Sequence, residues 1–257
     1  MHRRQALGLF AGFALCPLCV SAAFGEENHA GTHWSYEGAT GPDKWGSLDA
    51  ANGVCSTGTQ QSPVDLAEPI NARQPALEIR WAKRPQTIVN NGHTIQLDLT
   101  DGGSLNVGDR SYGLRQFHFH HPSEHLLDGK RFDMEAHFVN KAADGSICAL
   151  GVFIKSGAAN PVLGPVVQAM ESEPGLKKAV AGVTVDPTRL FPSDRSYFRY
   201  MGSVTTPPCP ETVNWVVFRT PIEASPEQIK RYAAVFPMDA RPIQPLNRRF
   251  VLEEVGG

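Results

Sequence analysis

Glycine and proline cut this chain into short apolar runs, and that punctuation limits its fold more than any other feature. With 24 Gly and 20 Pro spread among 257 residues, long helices have few places to form, because an interior Gly costs about 1 kcal/mol and a Pro about 3 kcal/mol. The runs between the breaks alternate or stay apolar over a strand's length, at 76–81, 87–89, 94–99, 112–121, 133–140, 147–155, 197–201 and 212–219. Two helices carry start signals. One covers 161–170, with Asn160 as N-cap and Pro161 in the first turn; the other covers 226–235, capped by Ser225 with Gln228 three residues on. The residues therefore predict a mainly β protein with a few peripheral helices.

A chain of 257 residues that is 41% hydrophobic can bury a full core as one domain or at most two. No internal repeat, low-complexity tract or charged linker divides it, which favours one domain. The formal net charge is −2, and without Arg3 and Arg4 of the first segment the balance is 22 basic against 26 acidic residues. So mild a charge gives no electrostatic reason to expect a nucleic-acid or anionic-membrane partner.

Residues 1–25 read as a cleaved signal peptide: basic His2-Arg3-Arg4, an apolar stretch from Ala6 to Val20, then small residues at Ser21-Ala22-Ala23 and Gly25. The apolar stretch is short for a membrane span, which needs about 20 residues, and Pro17 interrupts it. Paired arginines fit both the twin-arginine route and an ordinary secretory leader. Residues 26–257 are then the mature domain, periplasmic or secreted, with no stable membrane insertion. Cys16 and Cys19 leave with the leader, and Cys55, Cys148 and Cys209 remain. Cys55 and Cys209 lie in polar, turn-like stretches and are the favoured pair in an oxidising compartment, although spacing alone leaves the connectivity open. Cys148, inside an apolar run, reads as a buried free thiol.

The stretch Arg115-Gln116-Phe117-His118-Phe119-His120-His121 is the densest in chemistry. On a strand, His118 and His120 share one face and Phe117, Phe119 and His121 the other. The next run, Met134-Glu135-Ala136-His137-Phe138-Val139, offers a third imidazole if the two strands are neighbours. Three neutral ligands leave a divalent ion's charge uncompensated and a fourth tetrahedral position open, the arrangement for activating water. Two other readings compete at this point. A strand histidine is commonly a hydrogen-bonded core residue. His118-x-His120-x3-Glu124 also fits the first metal motif of cupins, with Glu124 as a ligand and iron or manganese as the metal.

From His33-Trp34-Ser35-Tyr36 to about Arg249, the chain resembles the α-class, or eukaryotic-type, carbonic anhydrases, and their exported bacterial members in particular. The motifs run in the family's order: Gln61-Ser62-Pro63-Val64-Asp65, Asn90-Asn91-Gly92-His93, Gln116-Phe117-His118-Phe119-His120, Ser123-Glu124-His125, Glu135-Ala136-His137, Gly202-Ser203-Val204-Thr205-Thr206-Pro207-Pro208 and Arg241-Pro242-Ile243-Gln244-Pro245-Leu246. The cupin reading explains none of the later motifs. A catalytically silent relative would be expected to have lost a metal ligand, and none is lost.

The resemblance implies a single domain on a large, twisted, mostly antiparallel central sheet of about ten strands, with a few short peripheral helices. It implies reversible hydration of CO₂ to bicarbonate and a proton by zinc-bound hydroxide, with Zn²⁺ on His118, His120 and His137. Thr205 would accept a hydrogen bond from the hydroxide and pass its own to Glu124, which becomes an orienting residue off the metal. Thr206 would contact bicarbonate, and Gln116 and Glu135 would hold His118 and His137. His93 matches the proton shuttle, with Tyr36, Asn90 and Asn91 as candidates for ordering the intervening water. His29, His33, His121 and His125 carry no expected role beyond structure or surface.

The CO₂ pocket would be Val139, Ala149, Val204 and Trp215. Ala149 stands where the family more often has valine and Val204 where it has leucine, so a wider pocket and some esterase activity are expected. Cys55 and Cys209 occupy the positions of a disulfide in exported bacterial members. Ser62-Pro63 and Pro207-Pro208 match cis sites of the family. The protein would be a monomer or homodimer acting on a small-molecule substrate.

Overall fold

The computed structural model describes residues 33–99, 101–175 and 177–254. The leader expected over 1–25, and His29 with it, lie outside the described residues. Short helices α1 (Trp45–Leu48) and α2 (Val54–Thr57) precede strands β1 (Ile70–Ala72), β2 (Leu77–Trp81), β3 (Arg84–Asn90), β4 (Ile95–Asp98) and β5 (Gly103–Val107). Then come β6 (Arg110–His120), β7 (Met134–Lys141), β8 (Ile147–Ser156), α3 (Leu163–Ala169) and β9 (Lys177–Val185). The chain closes with β10 (Tyr197–Gly202), β11 (Val213–Ala224), α4 (Pro226–Ala233) and β12 (Leu252–Glu254).

The strands form one 12-stranded sheet in the order β1-β12-β10-β11-β8-β7-β6-β4-β3-β9, with β5 on β6 and β2 on β5. Pairing is antiparallel except for β1 with β12 and β8 with β11. The mainly β, mostly antiparallel expectation holds. The eight strands legible in the sequence are all present, and β1, β5, β9 and β12 are additions. Strands β1 and β12 have three residues each, too few for any period to register, and they are strands because a neighbour supplies their hydrogen bonds.

Apolar residues line both faces of the middle strands. Along β8, Cys148, Leu150, Val152 and Ile154 join Phe117, Phe119 and Phe138 in one core cluster. The alternate residues Ile147, Ala149 and Phe153 join Trp215, Val217 and Val64 in another. A strand covered on both sides reads as a continuous apolar run, and each such side chain stabilises by about 1.5–3 kcal/mol when fully buried. Helix α4 has the predicted capping box, with the Ser225 hydroxyl and Gln228 side chain both engaged. Helix α3 begins at Leu163, two positions later than an Asn160 N-cap requires. The Asn160 carboxamide still accepts from the Val162 and Leu163 amides, so it caps the approach to the helix instead of its first residue.

The Cys55–Cys209 disulfide is present, spanning 154 residues, and Cys148 is a free buried thiol. Burial pushes the Cys148 thiol up to about 12, which leaves it inert. The peptides before Pro63 and Pro208 are cis as expected, and the one before Pro122 is cis as well. The bridge fastens α2 to the loop carrying Thr205 and Thr206, where the Cys209 amide donates to Thr206 O at 2.9 Å. Closing so long a loop stabilises by about 4–5 kcal/mol in the chain-entropy model. Reduction, or Cys55→Ser with Cys209→Ser, is expected to lower the melting temperature in calorimetry by several degrees; equal melting with and without reductant would refute this.

Candidate functional site

Strands β6 and β7 pair so that His118 stands opposite His137, with Phe117 opposite Phe138 and His120 opposite Glu135. The phenylalanines enter the core on one face of the sheet, which turns His118, His120 and His137 together onto the other. Each of the three can offer one ring nitrogen such that the atoms lie within 4.8 Å of one another.

The other nitrogen of each ring is committed. His118 Nδ1 donates to Gln116 Oε1 at 2.8 Å, His120 Nδ1 to the backbone oxygen of Asp239 at 2.7 Å, and His137 Nε2 to Glu135 Oε1 at 2.8 Å. A carboxamide oxygen, a peptide oxygen and a carboxylate can only accept, so each tautomer is determined. The lone pairs left are on Nε2 of His118, Nε2 of His120 and Nδ1 of His137. His120 Nε2 is buried without a hydrogen-bond partner, which is how a metal donor stands before it meets an ion. The donor set fits a zinc site.

Electrostatics keep two of these rings in the ligating form. Burial holds His118 well below the usual imidazole range, with His120 and His137 adding to the effect. His137 is also lowered by burial, against the pull of Glu135. At His120 burial acts downward too, but the Glu124 and Asp239 carboxylates outweigh it and the ring is raised. Burial would raise Glu135, yet His125 and His137 hold it well below the ordinary range.

Glu135 is clasped from both sides. His125 Nδ1 lies 2.7 Å from its Oε1, the His125 amide donates to its Oε2, and His125 Nε2 meets Tyr200 Oη at 2.6 Å. The Tyr200 hydroxyl donates in turn to Ser62 Oγ. Space for the carboxylate comes from Gly151, opposite His137 on β8, where a Cβ would fall 2.9 Å from Glu135 Oε1. His125, Glu135 and His137 also meet the spacing of a metal group, but the carboxylate already binds both rings, so the cluster is a hydrogen-bonded brace. His125 was expected to be structural or surface; it is fully buried and belongs to this brace.

Glu124, which the cupin reading would recruit as a ligand, is not one of the three-histidine group. Its Oε1 accepts from the Arg241 amide at 2.8 Å. The hydrogen bond expected from Thr205 is not made: Oε2 has no hydrogen-bond partner, and it lies 3.5 Å from His120 Nε2 and 3.8 Å from His137 Nδ1. Thr205 is buried and Thr206 partly buried beside it.

Val139, Ala149 and Trp215 form one row across β7, β8 and β11, and Val139 and Val204 pack against the cluster containing Ala149 and Trp215. The indole nitrogen of Trp215 donates to Ser203 O at 3.0 Å, which ties the row to the loop before Thr205. The four expected pocket residues therefore meet.

His93 is half-buried and stacks on Trp34, with ring centroids 3.6 Å apart and planes 7° from parallel; His33 lies 6.3 Å away. Burial, then His33, lower His93 to about 4. That departs from the near-neutral value expected of a shuttle, because stacking removes the ring from water. Asn91 Oδ1 accepts from the His93 and Thr94 amides, and Asn90 accepts from the Gly92 amide while donating to Glu171 O and Ser172 O. These asparagines build the turn that presents His93, which occupies the groups expected to order water. The Tyr36 hydroxyl is buried without a hydrogen-bond partner, and burial raises its pKa, with Glu124 and Asp239 adding to the rise.

Sequence reasoning missed Asp239, whose carbonyl aims His120, and gave Arg241 no role of its own. The Arg241 guanidinium donates to Gln61 Oε1, Ser62 O and Cys55 O, and lies 5.4 Å from the Trp45 ring centre. The available signal was their place beside the Arg241-Pro242-Ile243-Gln244 motif.

Among the described residues no helix is long and apolar enough to cross a membrane. The family model for eukaryotic-type carbonic anhydrase matches residues 40–255. A carbonic anhydrase of Nostoc sp. is 37% identical over 99% of this chain and 98% of its own length. One from Pectobacterium atrosepticum is 39% identical over 91% of this chain and 96% of its own. The structure of an α-carbonic anhydrase from Thermovibrio ammonificans with the inhibitor sulfanilamide superimposes with a TM-score of 0.84 at 42% identity, covering 86% of this chain and 99% of that one. With the fold, the histidine register and these matches in agreement, the chain belongs to the eukaryotic-type, or α, carbonic anhydrase family, zinc enzymes that interconvert carbon dioxide and bicarbonate.

Proposed function

We propose that this chain binds one Zn²⁺ through His118, His120 and His137 and, as an exported enzyme, hydrates CO₂ reversibly. The observation that carries the reading is the set of three pinned tautomers, which leaves three lone pairs on one spot and no carboxylate or thiolate among them. When bound, zinc supplies a Lewis acid that lets water ionise with a pKa of about 7, a value established for carbonic anhydrases as a class.

The chain's own residues supply orientation. In the working enzyme the Thr205 hydroxyl would accept a hydrogen bond from the attacking oxygen and would turn its proton to Glu124 Oε2, the carboxylate oxygen that has no partner in the structure. Glu124 can take that proton's hydrogen bond only as an acceptor, so the Thr205 proton has one direction and the oxygen's lone pair is aimed at carbon. The Arg241 amide on Oε1 keeps the carboxylate from turning. Val139, Ala149, Val204 and Trp215 hold the apolar substrate, and Thr206 contacts bicarbonate. Export is supported by the leader pattern in residues 1–25 and by the Cys55–Cys209 bridge, which suits an oxidising compartment.

His137→Ala is expected to lower zinc content, measured by atomic emission on the purified protein, well below one ion per chain, and stopped-flow CO₂ hydration by about 100-fold or more. Full zinc content with unchanged hydration would sink the assignment. The small side chains at 149 and 204 widen the pocket, so secondary esterase activity follows. Ala149→Val with Val204→Leu should depress hydrolysis of a nitrophenyl ester relative to CO₂ hydration, and an unchanged ratio counts against the wider pocket.

His93 relays the departing proton only after it leaves Trp34, since at about 4 its stacked form stays neutral at pH 7. Trp34→Ala should move the His93 pKa, followed by NMR titration, upward toward the free-imidazole value of about 6.5. A value that stays put would show that stacking is not its cause.

A further inference from the structure

The carbonyl that aims His120 belongs to Asp239, in a segment without regular secondary structure between exposed Met238 and buried Ala240. No helix or strand hydrogen bond holds it, so its position has to come from somewhere else. The Asp239 carboxylate is fully buried, with its Oδ1 accepting from the His121 amide and its Oδ2 from the Tyr232 hydroxyl at 2.7 Å. The Asp239 amide completes the lacing by donating to His121 O at 3.0 Å.

Tyr232 comes from α4 and is 1% exposed. Its hydroxyl reaches two acceptors, Asp239 Oδ2 and Phe119 O, both at 2.7 Å, but has a single proton. Thr94 Oγ1 already donates to Phe119 O at 2.6 Å and sits 3.1 Å from Tyr232 Oη. Phe119 O can accept a second hydrogen bond, but it already has the Thr94 proton while Asp239 Oδ2 has no other donor, so the Tyr232 proton goes to Asp239.

We infer that Tyr232 and the Asp239 side chain are positioning residues for the metal ligand His120: α4 grips the carboxylate, the carboxylate fixes its own peptide, and that peptide's oxygen sets the tautomer and plane of the imidazole. The inference rests on the proposed zinc site. Outer partners of ligating histidines typically change metal affinity by about 10- to 100-fold. Nothing in the clamp requires a negative charge, because an amide at 239 keeps every contact. Its oxygen would accept from the His121 amide and its nitrogen would donate to Tyr232 Oη, whose proton would turn to Phe119 O.

The test is zinc affinity of the full chain, measured by competition with a chelator, alongside the visible spectrum of the Co²⁺-substituted protein and the melting of the metal-free form. Tyr232→Phe is expected to weaken zinc binding about 10-fold or more and to perturb the Co²⁺ spectrum. Asp239→Asn should stay within about threefold of wild type by the same measure. Tyr197→Phe removes another buried tyrosine's hydrogen bond, to Pro75 O at 2.6 Å, away from the histidines, and should leave zinc affinity unchanged. Unaltered affinity in Tyr232→Phe would overturn the inference. So would an equal loss in Tyr197→Phe, which would mark general destabilisation, or an equal loss in Asp239→Asn, which would mark charge. Wild type that binds no zinc would instead overturn the reading on which the inference rests.

Discussion

Three carboxylates, those of Glu124, Glu135 and Asp239, are taken fully out of water within one small region of this protein, and the rest of the site answers to that burial. An isolated buried carboxylate costs several kcal/mol even after relaxation, so each must be supplied with donors. Glu135 receives two imidazoles and a backbone amide, Asp239 a tyrosine hydroxyl and a backbone amide, and Glu124 the amide of Arg241. Among the described residues Arg241 is the one permanently charged side chain buried beside them, and desolvation brings its own pKa down to about 10. On the proposed reading a divalent cation supplies the remaining positive charge opposite Glu124 and Glu135, whereas Asp239 contributes through its hydrogen bonds.

The sheet makes this arrangement possible by giving each face a different task. Phe117, Phe119 and Phe138 anchor β6 and β7 from one side, and a one-residue slip would exchange them with the histidines. Register is thus enforced by a large apolar penalty, and the imidazoles inherit their aim from it. The loop with Thr205 and Thr206 has no such support from strand pairing. It is held by covalent and polar fastenings: the Cys55–Cys209 bridge, Gln61 Nε2 to Cys209 O, and the Trp215 indole to Ser203 O. On the proposed reading, rigid strands carry the metal ligands while a tethered loop carries the orienting hydroxyl.

Much of this was legible beforehand. Alternation in 112–121 put His118 and His120 on one face, and the apolar run at 147–155 announced a strand covered on both sides. The small pocket residues Ala149 and Val204 could be read as substitutions of size. What was not legible divides by cause. Strands β1 and β12 lack enough residues to show a period. His93 was expected near neutrality because a turn histidine is normally hydrated, and only the face-to-face contact with Trp34, 59 positions earlier in numbering, removes that water. Asn90 and Asn91 looked free to order solvent, but their carboxamide oxygens close the turn.

By itself the sequence determined eight of the twelve strands, the face each histidine occupies and the chemical character of the donor set, because those follow from side-chain type and a period of two. Only the tertiary structure decided which nitrogen of each ring is left for a metal. That choice depends on where Gln116, Asp239 and Glu135 place an acceptor. For His120 the acceptor lies 119 residues away, a contact that no local pattern encodes and that exists only once α4 and the segment after it have packed against the end of β6.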